Sequence, residues 1–513
     1  MLGRPTPGLR SGARRVRGVV ACAACVLALT GCAGEGFGVG EDARKGGSLT
    51  LALDRPPGSL DPALATGPQA RLLAWQAYIA PLTLRRASGQ EGTEVVPGLA
   101  RRLPAISDGG LTWRLELRPG LRYSDGSPLR ASDLVHSLRR VRALDSPGKR
   151  LFAGVDSVEA DDRRGRVTYR LRARDGAFAQ VLASTYAAPV PARVPLSDQG
   201  ERPPPGIGPY RLARAGGQLV LVRRRGFRLP EVPGANVDRI AVSVEPDPER
   251  RARRTIAGDL DATVGSLPAQ RLPDVRSRYA ERYDESAGLS TTMFALSSRS
   301  APVDDVRVRQ AVNFAVDSEA FGRVLDGRLA PGCTVLPPKV SGYREPDPCP
   351  YGDPAEPGDL RQAATLLREA DAEGARVTVG GGPGASDRAV VRSFATLLRK
   401  LGLRARVVRP GVPAQATLLH LRPVVPDPRA YLRALRRLDP QLARAARRVR
   451  ADPDPERAAE DWATLDAGLV ERARVVPLGY DEDSTLLSAR IDSANCFRAH
   501  PMFGADLSSI CLE

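Results

Sequence analysis

Histidine and lysine are scarce in this chain of 513 residues, whereas arginine is abundant. Three histidines (His136, His420 and His500) and four lysines are present. Most hydrolases with a hydroxyl or thiol nucleophile place a histidine beside it, so three scattered histidines disfavour that class of enzyme. The chain also carries none of the common motifs for nucleophile elbows, phosphate loops or zinc proteases. We therefore predict a protein that is not an enzyme.

One stretch could be mistaken for a phosphate loop. The residues from Gly380 to Asp387 read GGGPGASD. They lack the lysine and the spacing that a phosphate-binding loop requires, so this stretch predicts an ordinary loop.

The positive charge of the chain comes almost entirely from arginine. The net charge is +17 at pH 7, and basic residues are interleaved with acidic ones along the whole sequence. An excess of arginine, alanine, glycine and proline with little lysine is typical of a GC-rich genome. Because no dense patch of basic and aromatic residues is present, we expect no nucleic-acid partner. Attraction to an anionic membrane surface is the other interpretation of the charge.

Near the N-terminus, the apolar run Val19–Leu29 has eleven residues, which is too short to span a bilayer. Arginines precede it, as in a secretory signal. The run is followed by Thr30, Gly31 and Cys32, which resembles a bacterial lipobox. We predict a lipoprotein signal peptide over residues 1–31, lipidation of Cys32, and a flexible tether over residues 32–45.

Four cysteines remain beyond Cys32, in two local pairs. These pairs are Cys333 with Cys349 and Cys496 with Cys511. Because an exported chain meets oxidising conditions, both pairs are predicted to form disulfides. Zinc binding is the competing interpretation. Neither pair has CxxC spacing and histidine is scarce, so no metal site is predicted.

A stretch in the first third of the chain shows a strand followed by a helix. In LTWRLEL, residues 111–117, apolar and other side chains alternate with the period of a half-buried strand. Turn residues follow, and apolar residues then recur at helical spacing after Ser132, which is a plausible N-cap.

The amino-acid sequence of this stretch resembles that of a known family. PGLA…SDGGLTWRLELRPGLRYSDGSPLRASDLVHSL resembles the signature region of the extracellular solute-binding proteins of family 5, the dipeptide, oligopeptide and nickel class of ABC importers. SLDPALA at 59–65, GIGPYRL at 206–212 and DDVRVRQAVNFAVD at 304–317 also resemble segments of that family.

The resemblance implies an α/β protein with a two-lobed, periplasmic-binding-protein-like type II fold. Mixed sheets flanked by helices are expected, with an extra subdomain at about residues 80–200 of the first lobe. The implied limits are 46–246 for lobe I and 247–474 for lobe II, with residues 475–513 returning to lobe I.

The implied function is capture of a peptide-like or other small solute between the lobes and its delivery to an ABC permease, which an ATPase subunit energises. The protein would be a monomer, held by its N-terminal lipid at the outer face of the cytoplasmic membrane. It would need no cofactor, since the ATPase subunit supplies the energy. Two alternatives stay open: a ligand sensor or receptor of the same fold without transport, and an exported hydrolase.

The ligand-binding residues are predicted from one segment. In peptide-binding members a motif W-x-x-D-x-x-[DE]-P supplies an aspartate for the α-ammonium of the peptide. The matching segment here places Leu421 at the tryptophan and Val424 at that aspartate, with Arg422 between them. A blocked, neutral or acidic ligand is therefore predicted, contacted near Arg422, Tyr186 and Phe152. Misalignment of this segment by a few residues, or loss of transport, is the alternative.

Overall fold

The computed structural model describes residues 45–435, 440–451 and 454–513. The predicted signal peptide, Cys32 and the tether up to residue 44 lie outside the described residues. From Lys45 onward the described residues belong to one compact unit. Within them, no helix combines the length and the apolar character needed to cross a bilayer.

Helices and strands alternate along the chain. The strands are β1 (Ser48–Leu53), β2 (Leu82–Leu84), β3 (Val95–Pro97), β4 (Ala105–Ser107), β5 (Thr112–Glu116), β6 (Val155–Asp161), β7 (Arg166–Leu171), β8 (Tyr210–Ala215), β9 (Gln218–Arg223), β10 (Arg239–Val244), β11 (Ala262–Val264), β12 (Tyr283–Leu296), β13 (Leu329–Ala330), β14 (Arg376–Gly380), β15 (Arg404–Val407), β16 (Ala416–Leu421), β17 (Val475–Leu487), β18 (Ala499–His500) and β19 (Gly504–Ala505). The α-helices are α1 (Gly67–Ala77), α2 (Ala131–Ala143), α3 (Phe178–Ala183), α4 (Pro248–Ala257), α5 (Leu272–Arg278), α6 (Val306–Phe314), α7 (Ser318–Val324), α8 (Leu360–Glu369), α9 (Ala385–Lys400), α10 (Pro428–Leu435), α11 (Pro440–Ala451), α12 (Pro455–Glu471) and α13 (Ser493–Cys496).

The main sheet is mixed and has eleven strands. Its order is β15-β14-β16-β12-β17-β11-β1-β10-β9-β8, and β13 pairs with β17 off this path. Strand β1 lies parallel to both β10 and β11, while β12 and β17 are antiparallel. Leu49, Leu51 and Leu53 of β1 are all buried, as are Ile240 and Val242 of β10. Strand β1 therefore lies inside the sheet, between β10 and β11.

Two long strands, β12 and β17, connect the two halves of this sheet: the half with β14, β15 and β16, and the half with β1 and β8 to β11. β12 has 14 residues and β17 has 13. One end of this pair lies beside β11, and the other lies beside β16. The register shifts between Ala287 and Thr291 and again between Thr292 and Met293. Such irregularities bend a strand, so β12 and β17 form a bent crossing between the two halves of the sheet.

The pairing of β11 bears on the limits of the lobes. This strand follows residue 247, where lobe II is predicted to begin, yet it pairs with β1 in the first half of the sheet. The lobe limits stay predictions, and the pairing favours a crossing at β12 over one at residue 247.

A separate sheet of four strands, β4-β5-β7-β6, lies within the range of the predicted extra subdomain. The strand predicted from LTWRLEL is β5, in which Trp113 and Leu115 are buried. The prediction that Ser132 caps the next helix is wrong, because α2 begins at Ala131 with Arg130 at the N-cap. The Ser132 hydroxyl donates instead to Asp162 at 2.8 Å.

Both predicted disulfides are present. The Cα atoms are 6.2 Å apart for Cys333–Cys349 and 5.6 Å apart for Cys496–Cys511. The Asp492 carboxylate lies within 4.8 Å of both sulfurs of the second pair. Those sulfurs are bonded to each other, so they cannot bind a metal as thiolates.

Candidate functional site

The crossing strands carry a dense run of acidic residues. Asp481, Glu482 and Asp483 are consecutive in β17, and the neighbouring strand β12 carries Asp284 and Glu285. Neighbouring side chains of a strand point to opposite faces. Since Ser286 pairs with Asp483 and Ala287 with Glu482, the three aspartates share one face and the two glutamates share the other.

Cations from three other parts of the chain surround the aspartates. Arg422 lies 3.2 Å from Asp481. The charges of Arg71, Arg422 and Lys339 all act on Asp483. We call Arg71, Lys339, Arg422, Asp481 and Asp483 the crossing cluster. It joins residues of α1, the Cys333–Cys349 loop, the end of β16 and β17.

The surrounding protein shifts the proton affinities of this cluster. Desolvation raises the pKa of Asp483, the Asp481 carboxylate raises it further, and the three cations oppose both effects. The side chain of Asp483 still reaches solvent, so water screens these effects. Desolvation lowers the pKa values of Arg71 and Lys339. A site that gathers charges of both signs in this way favours a solute that brings its own charges.

Arg71 connects the two halves of the sheet. It lies on α1, and its Nη1 donates to the carbonyl of Pro423 at 2.9 Å. Pro423 follows β16 in the other half, so one arginine of the first half contacts the backbone next to Arg422. A solute seated here would contact both halves at once.

A chain of hydrogen bonds leads from Asp481 into the half of the main sheet that contains β16. The Thr292 hydroxyl lies 2.6 Å from Asp481 Oδ1 and 2.8 Å from His420 Nδ1. His420 Nε2 lies 3.1 Å from Asp387 Oδ1. Threonine, histidine and aspartate in this order resemble a hydrolase triad. However, Thr292 is fully buried and bonded to Asp481, so it is not placed to attack a substrate.

The glutamate face of the crossing has a different character. Arg276 Nε donates to Glu285 at 2.7 Å. Desolvation and the Glu285 carboxylate together raise the pKa of Glu482 to about 7, against the opposing charge of Arg276. This face lies opposite the crossing cluster, and it gives the crossing strands one group, Glu482, that titrates near neutral pH.

The predicted segment around Arg422 is only partly exposed. Leu421 is buried and Val424 is half-buried against the apolar core. Asp427, which anchors the predicted alignment, is buried and forms an ion pair with Arg429, which also pairs with Asp175. Of the predicted ligand-binding residues in this segment, the structure brings Arg422 into the crossing cluster.

Phe152 and Tyr186 lie in the core. They are 3% and 2% exposed, and the Tyr186 hydroxyl donates to the Ala65 carbonyl at 2.9 Å. Tyr186 is close enough to Arg71 for each to alter the pKa of the other. Contact of these two side chains with a ligand remains a prediction, and their burial gives it no support.

Sequence reasoning missed most of the crossing cluster. Arg71, Lys339, Asp481 and Asp483 are far apart in the chain, and no motif marks them. One signal was available: the run DED directly follows the apolar stretch VVPLGY of residues 475–480. Three consecutive acids that continue a buried strand are costly to bury, so they indicate a functional surface.

Comparisons with known proteins agree with this architecture. A family model described as bacterial extracellular solute-binding proteins, family 5 Middle, matches residues 94–418. Protein XP55 of Streptomyces lividans is 28% identical over 372 residues, covering 71% of this chain and 63% of that protein. The nickel-binding periplasmic protein of Escherichia coli strain K12 is 27% identical over 305 residues, covering 57% and 56%. The chain thus spans less than two thirds of the length of these curated relatives.

A comparison with a solved structure covers more of both chains. Clavulanic acid biosynthesis oligopeptide binding protein 2 superposes with a TM-score of 0.79 at 25% identity, covering 91% of this chain and 96% of that one.

Proposed function

Because this chain belongs to family 5 of the bacterial extracellular solute-binding proteins, we propose that it captures a peptide or a similar small solute for an ABC importer. The predicted family is confirmed, and so is the predicted two-lobed type II fold with mixed sheets flanked by helices. Proteins of this kind close around their ligand by hinge motion.

The crossing cluster is the observation that carries this proposal. It unites charges from both halves of the main sheet beside the two strands that join them. A solute that contacts Arg71 on one side and Arg422 on the other binds the closed form better than the open one, and it shifts the protein towards closure. Arg71 already contacts the Pro423 carbonyl at 2.9 Å, which brings the two sides within reach of one small molecule.

The cellular setting is part of the same proposal. Lipid on Cys32 would hold the protein at the outer face of the cytoplasmic membrane. The residues up to 44 would form a tether, and the closed form would dock on a permease whose ATPase subunits supply the energy. We propose that the protein acts as a monomer without a cofactor. The basis for the anchor is the lipobox-like sequence before Cys32.

The solute class follows from the charges at the site. Arg71, Lys339 and Arg422 support binding of an acidic group, as predicted from Val424. Asp481 and Asp483 supply carboxylates that Val424 does not, so a test must include solutes with a free ammonium as well as blocked ones.

A ligand screen tests the proposal. Thermal unfolding of the mature protein is measured with di- and oligopeptides, nickel chelates, sugars and siderophores. A ligand at 100 times its Kd stabilises the folded state by about 2.7 kcal/mol and raises the melting temperature. Calorimetry then compares matched free and N-acetylated forms of each peptide that gives a shift. Chromatography of the same peptides after incubation shows whether they are cleaved.

A pair of variants makes the test specific. Arg422→Gln removes one cation of the crossing cluster, and loss of a charge-assisted bond is expected to weaken binding roughly tenfold to a hundredfold. Arg406→Gln removes an exposed cation of β15 and is expected to leave the affinity unchanged. Equal affinities for both variants, no shift with any solute, or turnover of a peptide would each contradict the proposal.

A further inference from the structure

We infer that His420 is a positioning residue whose ring, protonated at both nitrogens, fixes the Asp481 carboxylate of the crossing cluster. The inference rests on the proposed function only for its consequence, which is control of the solute site. Its basis is the chain of four side chains Asp387, His420, Thr292 and Asp481.

The sheet itself brings these side chains together. β12 lies between β16 and β17, and its Thr292 pairs directly with His420 of β16. On the other side the Thr292 hydroxyl reaches Asp481 of β17. Thr292 is 0% exposed, so water does not replace either partner. The hydroxyl must satisfy both neighbours with a single proton.

With Asp481 ionised in its ion pair with Arg422, counting protons gives the state of the ring. An ionised carboxylate only accepts hydrogen bonds, so the Thr292 hydroxyl donates to Asp481 at 2.6 Å. His420 Nδ1, at 2.8 Å, must then donate to the hydroxyl oxygen. His420 Nε2 lies 3.1 Å from an oxygen of Asp387, which also accepts. A neutral imidazole has one N–H and can satisfy only one of these contacts, whereas the imidazolium ion satisfies both.

The charged groups near the ring come from three elements. Asp387 lies on α9, and Asp481 lies on β17. Arg422, two residues beyond His420, is paired with Asp481. The Gly-rich stretch before α9, predicted to be a loop, has a definite role here. A Cβ atom on Gly382 would collide with the Asp387 carboxylate, so glycine allows that carboxylate to lie under the loop and face His420.

The consequence concerns the solute site. With the ring protonated at both nitrogens, Nδ1 donates to the Thr292 oxygen, and the Thr292 hydroxyl donates its own proton to Asp481. This hydrogen bond keeps the Asp481 carboxylate beside Arg422. When the ring loses a proton, either the contact with Asp387 or the contact with Thr292 loses its hydrogen bond. Asp481 then gains freedom, and the charge pattern presented to a solute changes.

Nuclear magnetic resonance of the imidazole nitrogens tests the inference on the solute-free protein. With three histidines in the chain, assignment is simple. His136 serves as an internal reference, because its Nε2 contacts a backbone carbonyl, that of Val194. At neutral pH His420 is expected to show protons on both ring nitrogens. A ring with one N–H would overturn the inference.

Two further comparisons separate positioning from a general structural role. Asp387→Asn supplies an amide that can donate to Nε2, so His420 is expected to become neutral at the same pH. The control Asp353→Asn alters an exposed turn aspartate bonded to Ala355 N–H and should change nothing. An unchanged ring in Asp387→Asn would count against the inference.

The carboxyl carbon signal of Asp481 reports the positioning itself. His420→Asn places an amide near the site of Nδ1 and is expected to preserve the signal, whereas His420→Ala is expected to shift it. Identical spectra for the two variants would refute a positioning role. Because no solute is used, these results do not depend on whether the ligand screen succeeds.

Discussion

Asp466 is a buried carboxylate that fastens the Cys333–Cys349 loop to α12. It is 3% exposed, and its two oxygens accept the backbone N–H groups of Val335 and Leu336 at 2.9 and 3.0 Å. Burial raises its pKa from 3.8 to about 6, although the two N–H groups oppose this shift. We predict that Asp466→Asn removes a pH dependence of stability that this carboxylate creates.

The sign and size follow from the shift. The folded protein holds the proton of Asp466 more tightly than the unfolded chain does. The stabilisation is therefore complete below pH 3.8 and is lost as the pH rises through about 6. A rise of this size corresponds to about 3 kcal/mol. The amide of Asp466→Asn does not titrate. The amide has only one acceptor oxygen, so the variant leaves one of the two backbone N–H groups without an acceptor. This lowers the free energy of unfolding by about 1–3 kcal/mol at every pH.

Urea unfolding at a series of pH values between 4 and 7 measures this difference. The free energy of unfolding of the wild type minus that of Asp466→Asn is expected to fall by about 2 kcal/mol across the series, because part of the full effect lies below pH 4. Other carboxyl groups with raised pKa values, such as Glu482, are present in both proteins, so their contributions cancel in the difference. A difference that stays constant with pH would refute the assignment of the raised pKa to Asp466.

Three other predictions use different measurements. Cys32→Ala is expected to release the protein from membranes into the medium, because the lipid anchor is lost, and retention of the variant in the membrane fraction would contradict the predicted lipidation. Replacing Cys333 and Cys349 together by serine should lower the free energy of unfolding by roughly 3 kcal/mol on the chain-entropy model, and an unchanged urea midpoint would argue against that contribution. Burial lowers the pKa of His500 from 6.5 to about 3. The stability that this neutral ring contributes is therefore present above pH 6.5 and is lost as the pH falls towards 3. In His500→Asn the side-chain oxygen can replace the Nδ1 acceptor for the Met502 N–H, so stability should fall less steeply with decreasing pH than in the wild type. Unfolding followed by circular dichroism at several pH values measures this, and an equally steep fall in both proteins would contradict the prediction.

Several elements could be predicted from the sequence because their cause is local. Alternation in LTWRLEL predicts the strand that the structure shows as β5 (Thr112–Glu116). The apolar face of VRVRQAVNF predicts α6, which Asp305 caps by accepting the Arg307 N–H. The two disulfides close short loops, so nearness in the chain suffices to predict them. The resemblance of these segments to the solute-binding family then fixed the fold.

The helix start near Ser132 shows the limit of local reasoning. Serine favours the N-cap position, but the Asp133 carboxylate accepts the Arg130 backbone N–H at 2.9 Å, and Ser132 bonds to Asp162 across the subdomain. A partner 30 residues away thus decides which residue caps α2.

The sequence by itself determined the family, the alternation of helices and strands, and the pairing of the cysteines. Only the tertiary structure decided the site. Arg71 and Pro423 are 352 positions apart, and Thr292 and Asp481 are 189 apart. They meet because β12 and β17 pair along most of their length and bring α1, β16 and the Cys333–Cys349 loop to one place. Periodicity shows which side of a strand is buried, but which distant charge lies opposite depends on sheet order and register.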